Sequence, residues 1–288
     1  MADRHAEIAV AGPAELGEGP TWDAGSETLL WVDILGQRVH RYDPRTGSNE
    51  SLEVPQHVGA AKPRSQGGLV LNLAEGIALL DADGVGRNWL VYWAREGVRG
   101  NDAAVDPMGR LWAGTMRYDT ATGGGWLARV NGDGAAKVVL DSVTISNGLG
   151  WSPDEKLMYY VDTPTGRLDV FDYDRDSGEI TNRRTVAEVD RGSPDGLCVD
   201  AAGCVWVALW GGWAVRRYTP DGRLDAEYEM PVANPTAPCF GGPRFEDLYV
   251  TSARVGLSEQ QLAAQPDAGA LFVLPGVGSG LPSAVFTG

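Results

Sequence analysis

The sequence predicts an all-β fold, a six-bladed β-propeller with four-stranded blades, as a single domain over residues 1–288. One observation is that 39 glycines and 17 prolines divide the chain into short pieces that lack helical apolar spacing. The other is that a polar residue ahead of an apolar strand recurs at 101, 147 and 195, and that six units of about 48 residues fill the chain. Units of this length with four short strands are typical of propeller blades.

The recurring unit begins at a polar residue, reaches a turn five residues later and carries an aromatic residue in its second strand. The polar residues are Glu18, Gln66, Asn101, Asn147, Asp195 and, more loosely, Cys239. The turn residues are Asp23, Asp106, Ser152 and Asp200, and the aromatic residues are Trp31, Trp112, Tyr160 and Trp206. A third strand often ends in an acidic turn, as in VHRYDPRTG at 39–47.

Local patterns predict the individual elements. Two apolar runs, 197–199 and 205–210, flank the turn DAAG at 200–203, which predicts a hairpin. The segment 258–264, SEQQLAA, predicts a short helix with Ser258 as its N-cap.

The composition excludes several classes of partner. A net charge of −15 and a pI near 4.6 give a surface that repels phosphate backbones, so nucleic acid is not an expected partner. No apolar run is long enough to span a membrane, and the first residues, MADRHAEIAV, do not resemble a secretory signal. The three cysteines form no CxxC pair, which predicts reduced thiols in a cytoplasmic protein.

The repeat predicts where the polar residues meet. In a propeller the innermost strand of each blade lines the central channel, so the residues that begin these strands converge on one mouth. Taken singly, Asp and Asn before a strand are common turn formers. Together, however, Glu18, Asn101, Asn147 and Asp195 would place two carboxylates and two amides in a shielded channel. A hard divalent cation satisfies such a set, because it prefers carboxylate and amide oxygens.

Five segments carry a resemblance to a known family. They are LGEGPTWD (16–23), RGNDAAVDPMGRLWAGTM (99–116), ISNGLGWSPDEKLMYYVDT (145–163), PDGLCVDAAGCVWVALWGGWAVRRYTPDG (194–222) and CFGGPRFEDLYVTSAR (239–254). In these segments the chain resembles the senescence marker protein/gluconolactonase/regucalcin family, most closely its bacterial lactonase members. The resemblance runs through most of the chain in the family's order. It implies a six-bladed propeller with one divalent metal in the channel.

The resemblance also implies roles for single residues. Glu18, Asn147 and Asp195 match the family's metal ligands, and the cation is Ca²⁺, Mg²⁺, Mn²⁺, Fe²⁺ or Zn²⁺. Arg99 and Asn101 match residues that contact the sugar, and so does Asp119, where some members have Glu. Family members open the lactone rings of aldonic acids, so the implied substrate is a sugar lactone.

The residue types suit this chemistry. A cation held by three protein oxygens can polarise a lactone carbonyl and lower the pKa of a bound water. Asp195 is the predicted catalytic residue, which passes a proton from the attacking water to the leaving alkoxide. The histidines His5, His40 and His57 lie outside every predicted mouth, which argues against a Ser-His-Asp triad and a Cys/His zinc site.

Two other functions stay open at this point. One is a non-catalytic propeller, either a calcium-binding regulator or a protein-interaction platform, although a platform has no need of a carboxylate–amide trio in its channel. The other is a hydrolase of a different ester or phosphoester on the same fold. The sequence also leaves open the choice of lactone, the native cation and the oligomeric state.

Overall fold

The computed structural model describes residues 5–12 and 14–288. The prediction that the chain begins without a secretory signal falls partly on residues 1–4, which lie outside the described residues. In the described part, 24 strands form six antiparallel four-stranded sheets, and the inner strands of successive sheets contact one another around a channel. The predicted six-bladed β-propeller is confirmed.

The strands follow one another from the channel to the rim in each blade. The N-terminal strand, β1 (Glu7–Val10), belongs to the last blade. The first blade contains β2 (Gly17–Asp23), β3 (Thr28–Asp33), β4 (Arg38–Asp43) and β5 (Ser48–Glu53). The second contains β6 (Val58–Pro63), β7 (Leu69–Leu73), β8 (Gly76–Leu80) and β9 (Arg87–Tyr92). The third contains β10 (Val98–Val105), β11 (Leu111–Arg117), β12 (Gly125–Val130) and β13 (Ala136–Val143).

The second half of the chain repeats this arrangement. The fourth blade contains β14 (Ser146–Trp151), β15 (Leu157–Asp162), β16 (Arg167–Asp174) and β17 (Glu179–Glu188). The fifth contains β18 (Ser193–Val199), β19 (Val205–Trp210), β20 (Ala214–Tyr218) and β21 (Leu224–Glu229). The sixth contains β22 (Pro235–Gly241), β23 (Asp247–Ser252), β24 (Leu271–Leu274) and β1. The predicted hairpin is the β18–β19 pair.

Both ends of the chain hold the ring together. The sixth blade takes its outer strand from the N-terminal region, because β1 pairs antiparallel with β24. The C-terminal tail then crosses the face opposite the mouth. Ala201 donates its N–H to Ser279 there, and the Phe286 N–H donates to the Pro63 carbonyl at 2.9 Å.

Apolar side chains fill the spaces between neighbouring blades. Trp112 and Trp206 pack towards the following blade, as in the edge-to-face contact of Trp206 with Phe240. Trp31 and Tyr160 pack towards the preceding blade instead. The predicted equivalence of these four residues is therefore off by one position. The residue three positions beyond the mouth pairs with a partner nine positions later in blades one and four, and only eight positions later in blades three and five.

A register shift near the channel mouth marks the inner strand of every blade. Examples are the shifts between Glu18 and Thr21 in β2 and between Pro194 and Leu197 in β18. Such bulges break the strict alternation of a strand and re-aim side chains. They explain how consecutive residues of one strand both contribute to the channel.

Two of the six predicted mouth residues are wrong. Gln66 lies in the exposed turn between β6 and β7, and Cys239 lies inside β22 beyond the register shift. The register shifts of these blades instead put Gly59 and Thr236 at the mouth. Only glycine fits at 59, because an added Cβ would lie 2.1 Å from the Asn101 carbonyl oxygen.

The predicted short helix is confirmed as α1 (Glu259–Ala264). Ser258 caps it, and the Ser258 and Gln261 side chains form a reciprocal capping box. None of the helices in the described part of the chain has the length and apolar character that a bilayer-spanning segment requires.

Candidate metal and substrate site

The structure brings together the polar residues predicted at the channel mouth. Glu18, Asn101, Asn147 and Asp195 come from the inner strands of four different blades, and each is at most 5% exposed. Asn101 donates from Nδ2 to Asn147 Oδ1 at 3.1 Å. The convergence that the repeat predicted is therefore present, with the four side chains shielded from bulk water.

Hydrogen bonds fix the orientation of both amides. Asn147 donates from Nδ2 to Thr163 Oγ1 at 2.8 Å, which turns its carbonyl oxygen towards the channel. Arg99 donates from Nη1 to Asn101 Oδ1 at 2.7 Å. Asn72 of the second blade supports the backbone by donating to the Asn101 carbonyl oxygen at 3.0 Å. The amide set is thus held in place by contacts from three blades.

Burial and neighbouring negative charges destabilise the ionised forms of the two carboxylates at the mouth. Burial raises the pKa of Glu18 to about 8, and the neighbouring Asp102 carboxylate adds to this effect. Burial also raises the pKa of Asp195 well above its ordinary value, and the Glu18 and Asp102 charges raise it further. Arg99 opposes both shifts, without reversing them. Negative charge at this point therefore lacks a full counter-charge among the protein groups.

An unpaired oxygen shows that the residues fit a cation. Asp195 Oδ1 is buried and has no hydrogen-bond partner in the described part of the chain, and Glu18 Oε2 accepts from the Gly19 N–H at 2.9 Å. Within the described residues, no three His, Cys, Asp or Glu side chains lie together as a metal site. Beside the two carboxylates, Asn147 offers an amide oxygen that faces the other polar side chains of the mouth. Carboxylate and amide oxygens are the ligands of hard divalent cations.

Sequence reasoning missed two charged residues of the channel, Asp102 and Lys62. Asp102 is 9% exposed, and burial raises its pKa. Lys62 is 6% exposed and donates from Nζ to Thr21 Oγ1 at 2.6 Å. The Asp102 charge favours the ammonium, while burial lowers the pKa of Lys62. A lone lysine in the otherwise apolar inner strand VGAAKP was the signal that could have revealed it.

The segment that follows β11 contains Asp119, which the family resemblance assigns to the substrate, but its side chain is paired locally. Asp119 is exposed, and its two oxygens accept from Arg117 Nε and Nη2 at 2.8 Å each. The preceding residue, Tyr118, forms a 2.7 Å hydrogen bond with His57 Nδ1. Burial lowers the pKa of His57 and the Arg99 charge lowers it further, whereas burial raises the pKa of Tyr118 and Arg99 opposes that rise. The expectation that His57 lies away from every mouth is thus wrong.

A cavity of about 390 Å³ occupies the opposite half of the channel. Lys62, Asp102 and Cys239 line it, together with residues 281–284 of the C-terminal tail. Glu18, Asn147 and Asp195 do not line it. The channel therefore has two parts, a mouth with the candidate ligands and a chamber behind it.

The fold and the mouth together define a class of six-bladed propellers whose channel gathers two buried carboxylates and an amide, a donor set that suits a divalent cation. The sequence model of a protein family, described as the SMP-30/Gluconolactonase/LRE-like region, matches residues 16–254 of this chain. The chain belongs to this family.

Individual relatives match this chain over more than nine tenths of their length. A 6-deoxy-6-sulfogluconolactonase of Pseudomonas putida is 41% identical over 268 residues, which cover 91% of this chain and 92% of that protein. Regucalcin of Danio rerio is 38% identical, with complete coverage of both chains. Among solved structures, the calcium-binding protein regucalcin of Agrobacterium tumefaciens superimposes with a TM-score of 0.94 at 31% identity, covering 98% of this chain and 97% of that one.

Proposed function

We propose that the protein hydrolyses sugar lactones with one divalent cation bound by Glu18, Asn147 and Asp195. The chain is a lactonase of its family, and the observation that carries the residue assignment is the unpaired, buried Asp195 Oδ1 beside Glu18. The oxygen ligands favour Ca²⁺ first, with Mg²⁺ and Mn²⁺ as smaller alternatives. A reducing cytoplasm suits the three free thiols.

The reaction adds water to the lactone carbonyl and breaks the ring C–O bond. When bound, a divalent cation polarises the carbonyl and stabilises the negative charge that develops on its oxygen. Asp195 accepts a proton from the attacking water and returns it to the ring oxygen as that oxygen leaves. The product is an aldonic acid, which releases a proton at neutral pH, so turnover acidifies the solution.

The remaining residues hold the substrate. Arg99 is buried and donates to Gly100 O and Asn101 Oδ1, which leaves further N–H groups for sugar hydroxyls. Asn101 stands between Arg99 and Asn147, so a sugar that contacts it lies directly beside the candidate ligands. Their burial keeps bulk water away from the reacting carbonyl.

A calcium-binding propeller without catalysis is the second candidate. The same three oxygens support it, and the Agrobacterium relative is described as a calcium-binding protein. A lactonase needs an open position on the cation and a base beside it, whereas a regulator needs neither. Turnover therefore separates the two candidates.

The test is a screen of aldonolactones that follows acid release. Metal-stripped protein is compared with the same protein after addition of Ca²⁺, Mg²⁺, Mn²⁺ or Zn²⁺, and uncatalysed hydrolysis is subtracted with a heat-denatured control. We expect no turnover after chelation and recovery with at least one cation. Full activity in metal-free protein would exclude the proposed mechanism, and saturable calcium binding without turnover of any lactone would favour the regulator.

A further inference from the structure

We propose that Tyr118, held in place by His57, makes the substrate contact that the family resemblance assigns to Asp119. The inference rests on the lactonase function proposed above and names a further residue of the same site. It follows from how the segment beyond β11 is built.

The Asp119 carboxylate is already committed to local structure. Both of its oxygens accept from the Arg117 guanidinium, and Oδ1 also accepts from the Ala121 N–H at 3.1 Å. A two-point pair of this kind is a strong and directional interaction. Arg117 holds the pKa of Asp119 at about 2, so the carboxylate stays charged and paired. These contacts occupy three of the roughly four acceptor sites of the carboxylate, which leaves a sugar hydroxyl only one site, on Oδ2.

Tyr118 lies at the same end of the third blade as Arg99. Its N–H donates to the Gly97 carbonyl oxygen at 2.9 Å, directly after the pairs that join β10 and β11. In that register Arg99 is opposite Met116, two residues before Tyr118. Arg99 and Tyr118 are close enough to interact electrostatically, because the Arg99 charge opposes the rise that burial causes in the pKa of Tyr118. Tyr118 therefore lies in the neighbourhood of the buried arginine, in addition to Gly100 and Asn101, whose oxygens accept from Arg99 directly.

His57 orients the phenol from the neighbouring blade. The His57 ring precedes β6 and meets the Tyr118 ring edge-on, with 5.5 Å between the ring centroids. Its Nδ1 and the phenol oxygen are 2.7 Å apart. This bridge between blades two and three fixes the hydroxyl at the mouth, while the ring stays 48% exposed and open to a ligand.

The pair complements the donor groups of Arg99. Arg99 is a donor without any acceptor, whereas a phenol oxygen that donates its proton to a neutral imidazole keeps lone pairs for a sugar hydroxyl. The Tyr118 ring also offers an apolar face to the C–H groups of a sugar. Tyr118 thus complements Arg99 as an acceptor, and His57 acts as a positioning residue through it.

The test compares Tyr118→Phe with Asp119→Asn in metal-loaded protein, using the best lactone of the screen. Loss of one polar contact made equally in the ground state and the transition state raises KM by about tenfold and leaves kcat within about threefold. We expect that result for Tyr118→Phe and a smaller change for Asp119→Asn. Tyr92→Phe, at an exposed tyrosine of β9, is the matched control with wild-type kinetics.

A positioning role for His57 gives a second measurement. His57→Ala should raise KM in the same direction, and the double variant His57→Ala/Tyr118→Phe should be no worse than Tyr118→Phe alone. A KM within twofold of wild type for Tyr118→Phe, or a larger effect from Asp119→Asn, overturns the inference and leaves the lactonase function standing. A wild-type protein that opens no lactone with any cation overturns both.

Discussion

Asp195 and Asp200 lie five residues apart in the fifth blade, and both are almost completely buried, yet their surroundings differ. Asp200 accepts from two backbone N–H groups through Oδ1, and from Trp206 Nε1 and Arg217 Nε through Oδ2. Asp195, at the mouth, has an oxygen without any partner. Full pairing stabilises a buried carboxylate, whereas an unpaired one costs free energy unless a ligand satisfies it.

The third blade repeats the satisfied arrangement at the turn. Asp106 accepts from Arg110 Nε, Trp112 Nε1 and the Tyr173 hydroxyl through Oδ2. The constant offset of the turn residues therefore has a structural cause in these blades, because the acid anchors the second-strand tryptophan. Carboxylates that build the blades are therefore fully paired, whereas the mouth carboxylate Asp195 keeps an oxygen available to a ligand.

The largest expected effect belongs to Asp195→Asn. Asn keeps an oxygen for the cation but cannot accept a proton, so kcat at saturating metal should fall by about 100-fold or more. The melting temperature of metal-free protein should not fall, because the change removes a buried charge. A kcat within a few-fold of wild type would assign Asp195 to the same structural class as Asp200.

Asp200→Asn should show the opposite pattern. The amide nitrogen would face the Trp206 and Arg217 donors, so the free energy of unfolding should fall by about 2 kcal/mol or more. The kcat per folded molecule should stay at the wild-type value. Urea unfolding with parallel kinetics checks both statements, and a lost kcat with an unchanged unfolding curve would break the distinction.

The pH dependence of stability provides a third test. The pKa of Glu18 is raised from its ordinary 4.5 to about 8 in the folded protein, so the folded state binds more protons than the unfolded state between these values. Metal-free protein should therefore lose stability as the pH rises from about 5 to about 8. Carboxylates with lowered pKa values, such as Asp119, titrate below this window.

Calcium should reduce this pH dependence, because a bound cation favours the charged carboxylates. Urea unfolding at both pH values, with chelator and with calcium, measures the difference. Greater stability of the chelated protein at the higher pH would contradict the assignment of unpaired charge to the mouth.

A smaller effect is expected at Lys62, whose ammonium opposes a second positive charge in the channel. Lys62→Met keeps an unbranched side chain and should raise the affinity for Ca²⁺ by up to about tenfold. Lys137→Met, at an exposed lysine paired with Glu179, is the charge-matched control and should leave the affinity unchanged. Calorimetric titration of both variants decides, and weaker binding by Lys62→Met would show that the lysine supports the site.

The smallest effect concerns metal binding by Asn101→Ala. Removal of the Asn101 amide frees a lone pair of Asn147 Oδ1, so the metal affinity should stay within about twofold of wild type while KM rises. Calorimetry and steady-state kinetics on one preparation measure both values. A large loss of metal affinity would place Asn101 among the ligands.

Much of the ring could be predicted from the sequence because four blades mark the mouth with a polar residue. Gln66 and Cys239 were assigned wrongly because blades two and six have small residues there, and Gly59 is dictated by the backbone of the next blade rather than by any local pattern. No turn or periodicity in the sequence indicates that the backbones of two neighbouring blades come this close at Gly59.

Local sequence patterns also fail to predict which side chains of one strand share the channel. Asn101 and Asp102 are neighbours in an extended strand, where alternation predicts opposite faces. The register shift between Gly100 and Ala103 removes that alternation, and both side chains are buried in the channel region. Bulges depend on pairing with another strand, so Asp102 and the His57–Tyr118 bridge become visible only in three dimensions.

The most direct test is a calorimetric titration of metal-free wild-type protein and Glu18→Gln with Ca²⁺. We predict one cation per wild-type chain and an affinity at least about tenfold lower for Glu18→Gln, because one carboxylate ligand has lost its charge. The variant should fold as well as the wild type. Absence of saturable binding to the wild type, or equal affinities for the two proteins, would contradict a cation site at this mouth.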